Sequence, residues 1–475
     1  MKKITFKTVC VTLLVTVSSV GITTAQINTF EKNYGGSRGD YGRAMATTVD
    51  GGFIITGQTF NSDSLGDTYL MKTDKNGVKQ WEKIIGGNAL EGGNSIIQTT
   101  DGGYLITNHT ESYGAGDCDS WLIKTDNTGN ILWNVTYGGI GDDVGEQGIE
   151  TSDGNYIVAG IERSLDTLGN AFLTKYDNAG NLIWVKTYGG PGVEAGVRIV
   201  ETVDGGFFIA GETTTNSLGL RDILVFRTNS AGDLMWLKNI GGAGDEEAFG
   251  LCATNDGGYV IAGVSTSFGS GDDDVYLIKM DDIGNKLWSK NIGGLNNDVA
   301  NSIVAAADGG FMITGFTKSF GDSMDAFIIK TDKFGNQHWM KTFGDKNHLN
   351  ECKWIVVCAD GGYAITGSTT VKDFPDNADV YLVKTDNEGN VASGVIEVPA
   401  PISGFVIYPN PVLNTINLSY NNSMSNPSIK IHNSLGKLIY EGENLKNIVI
   451  TGLPSGIYYL TLMDGTNSYS QKFIH

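Results

Sequence analysis

The chain has 475 residues and a formal net charge of −20 at neutral pH. The negative electrostatic potential of so acidic a chain repels nucleic acid and anionic lipid, and it favours cations or basic partners. The length exceeds what one ordinary core organises, which predicts two domains or a repeat array. Six of the 8 prolines fall in the last 77 residues, and this shift in composition marks a boundary near residue 399.

The first 25 residues are typical of a secretory signal peptide. Three lysines (Lys2, Lys3 and Lys7) precede the apolar run VCVTLLVTVSSVGI, and the small residues TTA lie just before Gln26. The run is too short to span a bilayer comfortably, so we predict a cleaved signal over residues 1–25. No later segment is long and apolar enough to cross a membrane, and we expect the mature chain to have no transmembrane segment.

A phrase such as NDGGYVIAG occurs seven times after the signal, and its aspartates lie 51 or 52 residues apart. Each unit contains four short alternating stretches. The first two are joined by an Asp-Gly hairpin turn, the next two by a polar loop, and the last two by a turn such as DIGN, and none shows a helical period. A fixed period near 50 residues with four strands per unit indicates propeller blades. The seven aspartates are Asp50, Asp101, Asp153, Asp204, Asp256, Asp308 and Asp360.

The fourth strand of the seventh unit is absent where the pattern requires it. The mature chain instead begins INTFEKNYGG, which matches a fourth strand such as LIWVKTYGG, with Phe30 in the position of the tryptophan. We therefore predict an all-β fold: a seven-bladed β-propeller over residues 26–395, closed by its N-terminal strand.

Tryptophan recurs in the fourth strand of six units, within stretches such as LIKTDNTGNILW (Leu122 to Trp133). This stretch resembles the tryptophan-docking repeat of quinoprotein propellers, in which Asp, Gly and Trp join successive blades. The likeness covers about a dozen residues per unit and implies architecture rather than activity. The adjacent cysteine pair that clamps the cofactor in that family has no counterpart here.

A ring of carboxylates stands ten residues before the repeated aspartates. One interpretation is structural: each carboxylate accepts backbone amides of a neighbouring loop. The other is a binding site for a cation or a basic ligand at the rim of the central channel. Carboxylates that lie close together repel one another unless a positive charge compensates, and hard oxygen ligands suit calcium. The six acids are Asp40, Glu91, Asp143, Glu194, Glu246 and Asp298, and the seventh unit has Asn350.

A second polar ring opens the third strands, and structural pairing is expected there. It comprises Asp67, Asp119, Asn170, Asp222, Asp274, Asp325 and Asp379. The seventh unit is the most irregular copy, with His348, Trp354, Lys372 and Phe374 as unusual residues. It indicates either a site or a closure blade.

The C-terminal segment alternates short strands with turn residues, which predicts a small antiparallel Ig-like β-sandwich over residues 405–475 after a linker over 396–404. From the residues alone, a sorting module and a generic adhesive module are equally open. The order YPNPV, INLSY, LGKLIYEG, LPSGIYYL, QKFI closely resembles the type A sorting domain of the type IX secretion system of Bacteroidota. The matching positions are Tyr408, Pro409, Asn410, Pro411, Gly456, Tyr458 and Lys472. The resemblance implies export by the type IX secretion machinery, to the medium or to the outer cell surface.

Three functions fit the repeats. The first is binding of a polysaccharide, surface protein or cation by a rigid propeller. The second is cleavage of an extracellular polymer, by a hydrolase or a lyase reaction, with two carboxylates in the central channel of the propeller. The third is a purely structural surface protein. The five histidines occupy unrelated repeat positions, no Ser-His-Asp order or zinc motif occurs, and we predict neither a catalytic residue nor a firm cofactor, with calcium as the candidate ion.

Overall fold

The computed structural model describes residues 28–36, 38–60, 65–164, 168–321, 323–371, 377–391, 405–408, 415–420, 427–433, 437–443, 447–450, 452–454, 456–464 and 467–475. These residues are all-β, with no helix among them. The chain divides into two compact units, Met1–Ala392 and Ser393–His475. The predicted signal over residues 1–25 lies outside the described residues.

The first unit repeats one element, an antiparallel sheet of four consecutive strands. The first strand starts at the ring carboxylate, and the two middle strands are buried on both faces, as in β3 and β4. The strands of sheets 1 to 6 are, in order, β2 Asp40–Thr47, β3 Phe53–Thr59, β4 Asp67–Thr73, β5 Lys79–Ile85; β6 Glu91–Gln98, β7 Tyr104–Thr110, β8 Asp119–Thr125, β9 Ile131–Tyr137; β10 Asp143–Glu150, β11 Tyr156–Glu162, β12 Asn170–Tyr176, β13 Leu182–Tyr188; β14 Glu194–Glu201, β15 Phe207–Thr213, β16 Asp222–Thr228, β17 Leu234–Ile240; β18 Glu246–Ala253, β19 Tyr259–Ser265, β20 Asp274–Met280, β21 Lys286–Ile292; β22 Asp298–Ala305, β23 Phe311–Thr317, β24 Asp325–Thr331, β25 Gln337–Phe343.

Sheet 7 combines the two ends of this unit. Its strands are β26 His348–Val357, β27 Tyr363–Val371, β28 Ala378–Thr385 and the N-terminal β1 Phe30–Tyr34. β1 pairs antiparallel with β28, with Phe30 opposite Lys384. A chain end that supplies the outer strand joins the two termini of the ring and removes an open seam.

Apolar clusters fill the space between successive sheets. One cluster joins Ile157 and Leu173 of sheet 3 to Ile209 of sheet 4, and others join the remaining neighbours in the same way. The cluster around Phe30, Met45 and Phe53 also contains residues of β28, so sheet 7 packs on sheet 1. The repeated sheets therefore form a closed ring.

Aromatic side chains of the fourth strands lie against turn glycines of the next sheet. A side-chain carbon added at Gly180, whose φ is 84°, would lie 2.8 Å from the Trp133 ring. Phe30 takes this place against Gly77, at 2.6 Å. Only glycine combines this positive φ with such a close aromatic neighbour.

The second unit contains two antiparallel sheets over one apolar core. The core combines Ile416 and Ile448 of one sheet with Ile431, Leu460 and Phe473 of the other. The first sheet contains β29 Phe405–Tyr408, β30 Thr415–Tyr420 and β33 Asn447–Val449, and the second contains β31 Ser428–Asn433, β32 Leu438–Glu443, β34 Ile457–Asp464 and β35 Asn467–Ile474.

Candidate functional site

The predicted ring carboxylates lie at the start of the first strands and are almost fully buried. Each accepts a hydrogen bond from the backbone amide four residues earlier, as Gly139 donates to Asp143 at 2.7 Å and Gly190 to Glu194 at 2.7 Å. Asp40, Glu91, Glu246 and Asp298 accept the same bond, at 2.6–2.9 Å.

Most of these acids also bond to the end of the second strand of their own sheet. Glu91 accepts the Thr110 hydroxyl at 2.9 Å, and Glu246 accepts the Ser265 hydroxyl at 2.6 Å. The carboxylates therefore hold the loop that enters each sheet. Within the described ranges, no three His, Cys, Asp or Glu side chains form a group that could hold a metal.

A separate cavity of about 680 Å³ lies where the first strands converge. None of the six ring acids lines it. Its described wall combines Val, Ile and Phe side chains with five cationic and four acidic ones. The charged residues are Arg43, Arg163, Arg198, Arg221, Lys353, Glu146, Glu212, Glu247 and Glu351.

A β-bulge in every first strand supplies one residue to this wall. The register shifts between Gly42 and Ala44 in β2, and between Gly145 and Gln147 in β10, so one residue is left without a partner on the second strand. Such a residue is turned away from the regular pleat. The seven bulge residues are Arg43, Asn94, Glu146, Val197, Phe249, Asn301 and Lys353, and all of them line the cavity.

The bulge residues are where the copies differ. The flanking position is always small (Gly, Ala or Cys), whereas the bulge residue is basic, acidic, amide, aliphatic or aromatic. Two of the amides join neighbouring first strands: Asn94 donates to the Gly145 carbonyl at 2.9 Å, and Asn301 to that of Cys352 at 2.8 Å. The ring thus presents one cavity with a different side chain from each sheet.

Glu146 is the carboxylate with the most cationic surroundings in this wall. Desolvation by burial raises its pKa, and the nearby charges of Arg198 and Arg43 only partly oppose this effect. The same desolvation lowers the pKa of Arg198 to about 10, against the opposing charge of Glu146. A carboxyl group with a raised pKa beside guanidinium groups is suited to proton exchange or to polar ligand binding.

The other cavity charges are paired more tightly. Arg221 contacts Glu247 at 2.9 Å and Glu212 at 3.2 Å, and Lys353 contacts Glu351. Arg43 donates to the Asn94 side chain at 2.9 Å, which holds its guanidinium in place.

Of the unusual residues in the seventh unit, Trp354 contacts a cavity residue. Its ring lies 4.9 Å from the guanidinium carbon of Arg198. His348, the first residue of β26, instead bonds to Asp345 at 2.9 Å. Lys372 and Phe374 lie outside the described residues. Sequence reasoning did not single out Arg43, Glu146 or Arg198. The available signal was a variable position one residue after each repeated small residue.

Four cysteines of the described chain are unpaired: Cys118, Cys252, Cys352 and Cys358. Burial raises the pKa of Cys358 to about 12, which keeps it a thiol at neutral pH.

No helix within the described residues is long and apolar enough to cross a membrane.

Part of the predicted sorting motif can be located in the second unit. Tyr408 ends β29, and Lys472 pairs with Tyr459 between β35 and β34. The Tyr458 hydroxyl donates to the Pro454 carbonyl at 2.7 Å, and the Gly456 amide donates to the His475 carbonyl at 2.8 Å. Pro409, Asn410 and Pro411 lie outside the described residues.

Residues 406–475 match the secretion system C-terminal sorting domain. This domain marks proteins exported by type IX secretion to the cell surface or the extracellular space. The protein is therefore an exported one, and its sorting domain implies interaction with the type IX secretion machinery.

The chain has more distant similarities to other proteins. It is 27% identical over 177 residues to the regulatory protein FlaEY of Caulobacter vibrioides, a match that covers 32% of this chain and 18% of that protein. The chain thus spans less than a fifth of this relative. Polysaccharide lyase Uly1 superposes with a TM-score of 0.48 at 11% identity, covering 74% of this chain and 91% of that one. The Penicillium chrysogenum alpha-L-arabinanase gives 0.41 at 10% identity, covering 76% and 98%.

Proposed function

We propose that the exported protein binds a ligand in the axial cavity of a seven-bladed β-propeller. In this proposal the propeller covers residues 26–395, follows a cleaved signal peptide (1–25), and is joined by a linker (396–404) to an Ig-like sorting domain (405–475). The repeated four-stranded sheets, the apolar clusters between neighbours and the pairing of β1 with β28 support the blade count.

The observation that carries the binding function is the variation of the seven bulge residues. A scaffold that only had to close a ring could repeat one type of side chain at this position, as the neighbouring position repeats a small residue. Different side chains around one concave site are typical of ligand recognition. We expect the ligand to be an extracellular polysaccharide or a surface protein. The ring carboxylates remain candidate ligands of a calcium ion.

The test compares two phenylalanine variants of the full chain. Phe249 lies in the cavity wall, and Phe334 lies in an exposed turn, with 56% of its surface accessible. The melting temperature is measured with a panel of neutral and acidic glycans and peptides. A ligand at 100 times its Kd should stabilise the protein by about 2.7 kcal/mol.

Binding in the cavity predicts that Phe249→Ala abolishes the shift and Phe334→Ala retains it. If both variants keep the full shift, the ligand binds elsewhere. If no glycan or peptide changes the melting temperature, the purely structural role is favoured.

A second candidate is a polysaccharide hydrolase or lyase, which Glu146 favours. Its raised pKa beside two guanidinium groups suits a general acid or base. Release of reducing ends or unsaturated sugars from a polysaccharide panel would reveal turnover. Glu146→Gln should then remove turnover and retain binding, whereas Glu150→Gln, in the same strand but bonded to Thr100, should leave both unchanged.

A further inference from the structure

The distribution of arginine in this protein is uneven. The chain contains only six arginines among its 33 basic residues, and four of the six line the axial cavity: Arg43, Arg163, Arg198 and Arg221. Near the end of each third strand, outside the cavity, one basic residue recurs, and it is a lysine in six of the seven copies. These residues are Lys72, Lys124, Lys175, Arg227, Lys279, Lys330 and Lys384. Guanidinium groups are therefore concentrated around the axial cavity.

Guanidinium and ammonium groups recognise different ligands. The planar guanidinium presents paired donors that match the two oxygens of a carboxylate, whereas lysine acts as a point charge. If the cavity needed only positive charge, lysine would serve as it does in the rest of the chain. The preference for arginine indicates recognition of a planar anionic group.

The charge balance of the cavity also leaves room for an anion. The described wall has five cationic side chains and four carboxylates. Arg221 already contacts two carboxylates, and Lys353 contacts one. The charge of Glu146 acts on Arg43 and Arg198, and burial raises the pKa of this carboxyl group. His109, beside Arg43, adds no charge at neutral pH, because burial and Arg43 lower its pKa to about 4.

Two of these guanidinium groups are held in place before a ligand arrives. Arg43 donates to Asn94, and Arg198 donates to the Val197 carbonyl at 2.9 Å while its plane contacts Trp354. Fixed donors lose little conformational entropy on binding.

We infer that the cavity recognises the carboxylate of its ligand, with Arg43 and Arg198 as the specificity-determining residues. The inference rests on the proposed binding function and names the chemical class of its ligand. A uronic acid of a polysaccharide and the C-terminus or acidic side chain of a peptide share this group.

The test uses two pairs of probes, each an acid and its uncharged derivative. Tri-galacturonate is compared with its methyl ester, and acetyl-diglycine with its amide, by calorimetric titration of the full chain. We expect an acid to bind and its neutral partner not to bind, and whichever acid binds more tightly identifies sugar or peptide as the source. Arg43→Lys and Arg198→Lys should weaken binding about tenfold, because each keeps the charge and loses the paired donors.

Arg227→Lys is the matched control. Arg227 pairs with Asp204 at 2.8 Å, outside the cavity, where the other copies use lysine. It should bind as the wild type does, and unchanged melting temperatures would show that all three variants are folded. Equal binding of the ester or amide would overturn the anion inference and leave the binding function intact. Absence of binding by both acids, or wild-type affinity in both cavity variants, would also overturn the inference.

Discussion

Arg198 in the first strand of sheet 4 stacks its guanidinium on Trp354 in the first strand of sheet 7, at 4.9 Å from the ring centre. Each residue directly follows a bulge. The contact therefore links two sheets that are not neighbours in the ring, and it sets the position of a cavity cation. The other copies have Ala, Ser, Gln or Gly at this place, so the pair is unique to these two strands.

Replacing Trp354 by leucine should remove this cation–π contact and loosen Arg198. We expect a loss of about 1–2 kcal/mol in the free energy of unfolding, measured in urea. Carboxylate binding should weaken as well, because Arg198 is then free to rotate. Trp354→Phe, which retains an aromatic face, should lie between the two, and equal behaviour of leucine and phenylalanine variants would contradict the role of the ring.

Two turn glycines separate the conformational from the packing role of glycine. Gly154 and Gly180 have φ angles of 79° and 84°, but an added carbon meets nothing within 4 Å at Gly154 and lies 2.8 Å from Trp133 at Gly180. Gly154→Ala should cost about 1 kcal/mol from its backbone alone. Gly180→Ala should cost more than twice as much in urea unfolding, since it also displaces the indole. Equal costs would mean that the tryptophan contact adds no stability.

Asp222 should be replaceable by asparagine with a gain in stability. Its carboxyl group lies opposite Glu246 across Gly241 and has a buried oxygen without a hydrogen-bond partner. Burial, and then the charge of Glu246, raise its pKa. Because the folded pKa lies above the unfolded one, stability is lost as pH rises through the folded value. Asn170 takes the same position opposite Glu194 in the preceding junction.

Asp222→Asn should therefore raise the free energy of unfolding by about 1 kcal/mol at pH 7–8. The difference should disappear below the unfolded pKa of about 4, where Asp222 is protonated in both states. Melting temperature recorded from pH 3.5 to pH 8 checks this, with Asp272→Asn, an exposed loop acid, as the control. A gain that is equal at every pH would contradict the electrostatic cause.

Phe30 should be the most sensitive residue of the N-terminal strand. Its ring packs on Phe53, with centroids 6.3 Å apart, and against Gly77 where the ring of sheets closes. Phe30→Ala should cost about 3–5 kcal/mol in urea unfolding, because it leaves a cavity at the closure. Phe334→Ala, in an exposed turn, should change stability by about 0.5 kcal/mol or less. Similar costs for the two variants would show that closure does not depend on this contact.

Much of the architecture was predictable because short, local sequence patterns determine it. The Asp-Gly turns and the two-residue alternation each involve a few neighbouring positions. Together with the 51–52-residue period, they predict all-β repeats. The place of Phe30 followed from its match to the fourth strands. Export followed from the order of short motifs in the last 70 residues, which also match the sorting domain.

The axial cavity was decided by tertiary structure. The repeated acids could be recognised from the sequence because their spacing along the chain is regular. The structure places them in buried hydrogen bonds instead of in the cavity wall. Arg43 and Lys353 lie 310 positions apart in the chain, and their side chains line one cavity only because the ring closes and a bulge turns each of them out of the pleat. Repetition in the sequence thus determined the scaffold, whereas ring closure and the bulges decided which variable residues meet.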